Sequence, residues 1–171
     1  MTFDEAFARL IGFEAGFSDL NSDSGNWTGG RVGVGELKGT KYGIAANTYP
    51  DVDIKNLTLD QAKAIYHRDW WLKIGADDID PAIVFQMWDF AVNAGMGTAK
   101  RALQRAVRVT DDGMIGPRTL AAIKAMTVTD VLMRFNAQRL RFYTSLSTWD
   151  KFGKGWTNRV AGNLDYAAED A

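Results

Sequence analysis

Two carboxylates near the start of the chain, one at a helix end and one in the loop that follows, are of a type that could do chemistry together. Glu14 lies in the apolar run GFEAGFSD, residues 12–19, and Asp23 follows nine positions later in SDSG. A carboxyl pair can hydrolyse an acetal: one acid protonates the leaving oxygen, and the other activates water or stabilises the cation. At about 100° per residue, Phe3, Phe7, Leu10 and Ile11 fall within an arc of roughly 100°. A helix continued to residue 14 puts Glu14 near the middle of that arc. A glutamate on a buried stripe loses solvation, so its pKa rises above the reference of about 4.3 and it holds a proton for general acid work. The alternative is a helix ending at Gly12, with Glu14 swung out to water. Asp23 also has two readings, as the second carboxylate or as the turn former of D-S-G. Glu36 competes for the second place and otherwise reads as a solvated loop acid.

Other chemistries are narrowed by composition. The chain has no cysteine, which excludes disulfides, thiolate nucleophiles and cysteine-held zinc. His67 is the one histidine, so a His-rich zinc site is not expected, and a Ser-His-Asp triad would depend on it alone. Asp19, Asn21 and Asp23 alternate like the start of a calcium loop. Ser24 then stands where a sharp-turn glycine is required, and Gly30 where a bidentate glutamate belongs. No metal and no organic cofactor are expected. A net charge of −1 argues against a nucleic-acid binder, which would carry a clear basic excess.

The elements that must position these acids are mainly helical. Thr2 and Glu5 form a capping box at the head of a first helix, and Glu5 falls on its solvated side. From 15 to 47 glycine and asparagine recur, predicting a long loop with a short β-hairpin; loops of this length in a compact domain are usually functional. Thr58 and Gln61 form a second capping box, opening a helix through about Trp71. Asp80-Pro81 starts another, running to Gly95, with proline at the first helical position. Shorter helices are expected over roughly 97–108 and 116–125, a long one from Thr127 or Thr129 to about Leu146, and a last one over 150–167. The 171 residues fit one domain, or a catalytic unit with a small helical annex packed on it. The N-terminus lacks the basic and apolar regions of a signal peptide, and no stretch approaches 18 consecutive apolar residues. The expected location is therefore the cytoplasm, with no transmembrane helix.

Several segments, taken in order, resemble glycoside hydrolase family 108, the phage and bacterial lysozymes that cleave peptidoglycan. GFEAGFSD is similar to the E-G-G-Y segment around that family's catalytic glutamate, SDSG to its D-P-G-G turn, and GTKYGIA to its T-N-F/Y-G-I. The resemblance implies that Glu14 is the general acid and that Asp23 and Thr40 assist, holding the nucleophilic water or the sugar face. Phe17 and Tyr42, within the matching segments, are the implied glycan-binding aromatics. Ala15 stands for a glycine and Phe17 for a tyrosine, and NWTGGRVGVGELKG is inserted between Asp23 and Thr40, so spacing does not give their geometry. Downstream, D-F-A-V-N-x-G, A-L-Q and D-G-x-I-G-P-x-T-L resemble the predicted peptidoglycan-binding module that follows the catalytic segment in the same family. The two resemblances together span roughly residues 5–125.

These marks imply a mainly α, lysozyme-like fold with a small β or loop element beside the cleft. Residues 1–85 would form the catalytic segment and 86–171 a helical peptidoglycan-binding segment packed on it as one compact unit. Ile83, Val84, Met87, Trp88, Ala91 and Val92 form an apolar helix face, and Gln86, Asp89 and Asn93 a narrower polar stripe. Asp89 and Asn93 either line the sugar groove or satisfy polar groups of neighbouring helices. Trp27, in the loop, is a candidate for stacking on a sugar ring, whereas Trp70, Trp71 and Trp88 read as core. Lys100, Arg101, Arg105 and Arg108 suggest a basic helix face, either solvated or directed at an anionic wall.

The function implied is hydrolysis of the β-1,4 bond between N-acetylmuramic acid and N-acetylglucosamine. The partner is bacterial peptidoglycan, and the protein would be a monomeric phage endolysin held in the host cytoplasm until a holin releases it. A lytic transglycosylase using the same glutamate and a non-catalytic wall-binding or phage structural module are the alternatives.

Overall fold

The computed structural model describes residues 1–11, 16–75 and 78–171. Its secondary structure is mainly helical, with one small antiparallel sheet. The chain divides into two compact units, Thr2–Asp69, and Trp70–Ala171 together with Met1. This division falls ahead of the 85/86 boundary drawn from motifs, because the helix after Asp80 packs on three later helices, Met96–Ala106, Val128–Thr144 and Trp149–Asp170.

In the first unit, α1 (Phe3–Ile11) carries the expected capping box. Thr2 N donates to Glu5 Oε2 at 2.6 Å, and Glu5 N to Thr2 Oγ1 at 3.3 Å. The bond from Thr2 N to the carboxylate, helped by the Thr2 hydroxyl, stabilises the charged form of Glu5 and lowers its pKa, as suits a solvated acid. Phe7 and Leu10 are buried, and the Phe7 ring meets Tyr66 at 5.8 Å. The sheet has the order β1 (Phe17–Ser18), β2 (Thr40–Lys41), β3 (Ile44–Ala45), with both pairings antiparallel. The expected hairpin is β2–β3, turned by Tyr42 and Gly43, and β1 adds a third strand. Both turn residues have positive φ, 51° and 72°, the two-residue geometry that matches the twist of paired strands. Helix α2 (Leu59–Tyr66) opens on the expected capping box of Thr58 and Gln61.

Helix α2 runs on through a π-helical turn, His67–Trp71, and a short α3, Leu72–Ile74. The single helix expected here therefore contains a change of winding that periodicity does not reveal.

The second unit is arranged around α4 (Pro81–Ala94), whose residues from Ala82 through Ala91 are all buried. It packs on α5 (Met96–Ala106), α7 (Val128–Thr144) and α8 (Trp149–Asp170); α6 (Pro117–Lys124) lies between α5 and α7 in the chain. Apolar burial contributes on the order of 1.5–3 kcal/mol for each large side chain, and Phe85, Met87, Trp88, Phe90, Leu103 and Phe135 are each at most 1% exposed. Trp88 is core as expected, whereas Trp70 and Trp71 are only half-buried. Helix α5 ends with Arg108 at φ 60°, with Val109 N donating to Gln104 O and Arg108 N to Arg105 O. That is a left-handed helix stop, usually made with glycine. The basic side chains of this helix turn back on the protein. Lys100 Nζ donates to Lys73 O at 2.9 Å, Arg105 pairs with Asp111 at 2.6 Å, and Arg101 lies over Gly113.

Candidate active site

Glu14 lies outside the described residues; the other expected site residues are placed. Asp23 is exposed and caps the turn Ser24–Asn26, its Oδ1 accepting from Gly25 N at 2.9 Å. A short side chain two bonds from the backbone reaches the amide two residues on, which is why D-S-G starts such turns. Its second carboxylate oxygen has no partner among the described residues.

The turn ends on Asn26, which is 0% exposed. Asn26 N donates to Asp23 O at 3.2 Å, and Asn26 O accepts from Lys38 N at 3.0 Å and Gly39 N at 3.1 Å. Its side chain donates through Nδ2 to Leu20 O at 3.0 Å and accepts through Oδ1 from the Thr40 hydroxyl at 2.7 Å. The inserted segment therefore leaves and returns at one residue, and Asp23 and Thr40 are tied to it from either side. Within the insertion, Thr28 N donates to Glu36 O and Glu36 N to Thr28 Oγ1, each at 2.9 Å, and Trp27 bridges to Leu37. Asn26 carries no motif of its own. The one available signal was a polar residue next to Trp27 at the point where the insertion begins, and only the fold shows that the chain closes there.

The aromatics take different positions. Phe17 is 41% exposed on β1. Its ring packs on Gly39, where an added Cβ would stand 2.8 Å from the ring and 2.6 Å from Ser18 O, at φ +84°. Trp27 is half-buried, and its indole N–H donates to Asn21 O at 2.8 Å, so it braces the loop instead of standing free in solvent. Tyr42 is half-buried at the hairpin turn; its carbonyl accepts from Tyr66 OH at 3.0 Å, and Lys41 Nζ lies 5.4 Å from its ring.

Beside the sheet, still within the first unit, is an open groove of about 500 Å³ lined by Phe17, Asp19, Glu36, Lys38, Asp51 and Asp53, among others. Glu36 is solvated, with its side chain 73% exposed and Lys38 at 3.7 Å. Asp53 accepts from Asn56 N and Nδ2, and these bonds lower its pKa. An exposed aromatic face beside acidic and basic side chains suits a hydroxyl-rich ligand, which stacks its C–H face and hydrogen-bonds at its edge.

Asp89 requires a correction as a groove residue. Asp89 is 2% exposed in the interior of the second unit, and its carboxylate is fully engaged. It accepts from Arg139 Nη2, from Arg159 Nη2 at 2.7 Å and from Asn163 Nδ2 at 2.6 Å. Burial by itself raises the Asp89 pKa, but the two guanidiniums outweigh it and hold the carboxyl below the usual range. Asn93 is exposed, and its amide donates to Asp89 O one turn back at 2.7 Å. The polar stripe of α4 thus pairs with α7 and α8: Gln86 Nε2 donates to Asn163 O at 2.6 Å and accepts at Oε1 from Asn136 Nδ2 at 3.3 Å.

Fold and site together describe a unit with a small sheet and an acid-lined groove, followed in the chain by a unit of packed helices. Residues 7–95 match the model of the family glycosyl hydrolase 108, and residues 98–161 match a predicted peptidoglycan domain. Brucella abortus SagA, a solved structure, is similar over 98% of this chain and 94% of its own, with 30% identity and a TM-score of 0.83. Among curated proteins none matches. The chain belongs to the glycosyl hydrolase 108 family, has its mainly α, lysozyme-like fold, and is a glycoside hydrolase acting on peptidoglycan.

Proposed function

We propose that the protein is a muramidase, cleaving the β-1,4 bond between N-acetylmuramic acid and N-acetylglucosamine with Glu14 as the general acid. The observation that carries this reading is the family match over residues 7–95 followed directly by the peptidoglycan match over 98–161. Asp23 and Thr40 act with Glu14, placing water or stabilising the oxocarbenium ion. Their attachment to the same buried Asn26 supports assigning them to one site. Phe17, Tyr42 and the groove beside β1 bind the glycan, and Trp27 holds the loop that borders it. Residues 1–85 carry the catalysis and 86–171 the attachment to the wall. We assign the protein to the lysis of a bacterial host by a phage, kept in the cytoplasm until a holin admits it to the wall, and acting as a monomer. Among the described residues no helix is long and apolar enough to cross a membrane.

Mass analysis of the fragments released from purified peptidoglycan tests the chemistry. Reducing N-acetylmuramic acid ends are expected. Ends carrying 1,6-anhydro-muramic acid would make the protein a transglycosylase, and reducing N-acetylglucosamine ends would place the cut at the other bond.

A further inference from the structure

We infer that Asn26 is a positioning residue that fixes the Thr40 hydroxyl as a hydrogen-bond acceptor toward the substrate side. This rests on the assignment of Thr40 to the site under the proposed function. The carbonyl of Leu20 can only accept, so the amide of Asn26 must turn Nδ2 toward it, at 3.0 Å. Its Oδ1 therefore faces Thr40, 2.7 Å away. A carbonyl oxygen has no proton to give, so the bond is made by the threonine O–H. A hydroxyl has one proton and two lone pairs. With the proton committed to Asn26, Thr40 Oγ1 offers only lone pairs elsewhere.

The consequence is directional. Whatever meets Thr40 from the half-buried outer side must donate, as a water O–H, a sugar hydroxyl or an acetamido N–H can, and a carbonyl or ether oxygen cannot. A water that donates one proton to Thr40 turns a lone pair away from it, which is the orientation a nucleophile needs. Asn26 cannot reorient, being 0% exposed, with backbone bonds to Asp23, Lys38 and Gly39 as well. It touches neither substrate nor the reacting atoms in this role and acts through Thr40.

The test is a double-mutant cycle on soluble glycan-strand fragments, reading kcat and KM, with circular dichroism melts on every variant. Thr40→Val removes the hydroxyl at constant shape and is expected to lower kcat by about 10–100-fold, the worth of one well-placed hydrogen bond in the transition state. Thr40→Ser is expected to restore most of it. Asn26→Asp at neutral pH sets a carboxylate oxygen against Leu20 O, disturbs the orientation and lowers kcat. As pH falls and that carboxyl is protonated, it can again donate to Leu20 O and accept from Thr40. Its kcat relative to wild type should therefore rise toward acid. In the Thr40→Val background, Asn26→Asp should cost little more and show no such rise.

If the two losses multiply in the double variant, or if Asn26→Asp loses rate only in proportion to its unfolded fraction, Asn26 is merely a loop brace and the inference is overturned. If Thr40→Val runs at the wild-type rate, the assignment of Thr40 to the site fails first and takes the inference with it.

Discussion

Arg139 on α7 and Asp89 on α4 form an ion pair in the interior of the second unit, with side chains 0% and 3% exposed. The Arg139 guanidinium also lies over the rings of Phe90, at 5.3 Å, and Tyr143, at 5.7 Å. Arg159 supplies a second positive partner from α8, so this one carboxylate joins three helices. Removing one partner of a buried pair leaves the others charged and unmatched, which costs about 3–5 kcal/mol.

Asp89→Asn is therefore expected to lower unfolding free energy by about that amount in urea denaturation. The pH dependence has a definite sign. The folded pKa of Asp89 is lowered below its unfolded value of about 3.9, so its contribution is complete above that value and is lost as pH falls through the folded pKa. Wild type should lose stability below about pH 4 by a component that the Asp89→Asn variant lacks.

Gly39 sets the position of Phe17. Gly39→Ala forces a left-handed residue to carry a Cβ that meets Ser18 O and the Phe17 ring, and is expected to destabilise by more than about 1 kcal/mol. Phe17→Ala leaves that backbone intact and removes only the ring. It is expected to raise KM for soluble glycan by about 2–10-fold with kcat little changed, the scale of one stacking contact. An unchanged KM would remove Phe17 from the glycan surface.

Gln104 holds the D-G-x-I-G-P loop of the second unit together. Its Oε1 accepts from Gly113 N at 2.7 Å, and its Nε2 donates to Asp112 Oδ1 at 2.7 Å and Met114 O at 3.0 Å. The bond from Gln104 Nε2, with a second from Met114 N at 2.8 Å, lowers the pKa of Asp112. Gln104→Leu leaves the loop's polar groups without their partner, and a loss of about 2–3 kcal/mol is expected in thermal or urea unfolding. A change below about 0.5 kcal/mol would mean the loop is held by its backbone alone.

How much of this was legible depended on the range of the interaction. Both capping boxes and Pro81 at the head of α4 were local patterns, and each is made as written; of the two threonines that could head α7, Thr127 is the cap. The partners of Asp89 were not legible: they lie 50, 70 and 74 residues away, and helical spacing gives a face without saying what covers it. For that reason its polar stripe reads equally as a groove lining or as a set of partners for neighbouring helices. Asn26 was hidden because an insertion has no periodicity, and its closure depends on Thr40 14 positions on. Trp27 looked like a free ring because its N–H partner is a backbone carbonyl, which any residue supplies.

The most direct measurement is the release of reducing ends from purified peptidoglycan by wild type and by Glu14→Gln, an isosteric change that removes only the transferable proton. General acid catalysis is typically worth about 10²–10⁴-fold, and a loss of that order with an unchanged melting curve is the expected result. If Glu14→Gln keeps more than about a tenth of wild-type activity, Glu14 is not the acid and the proposed mechanism is wrong.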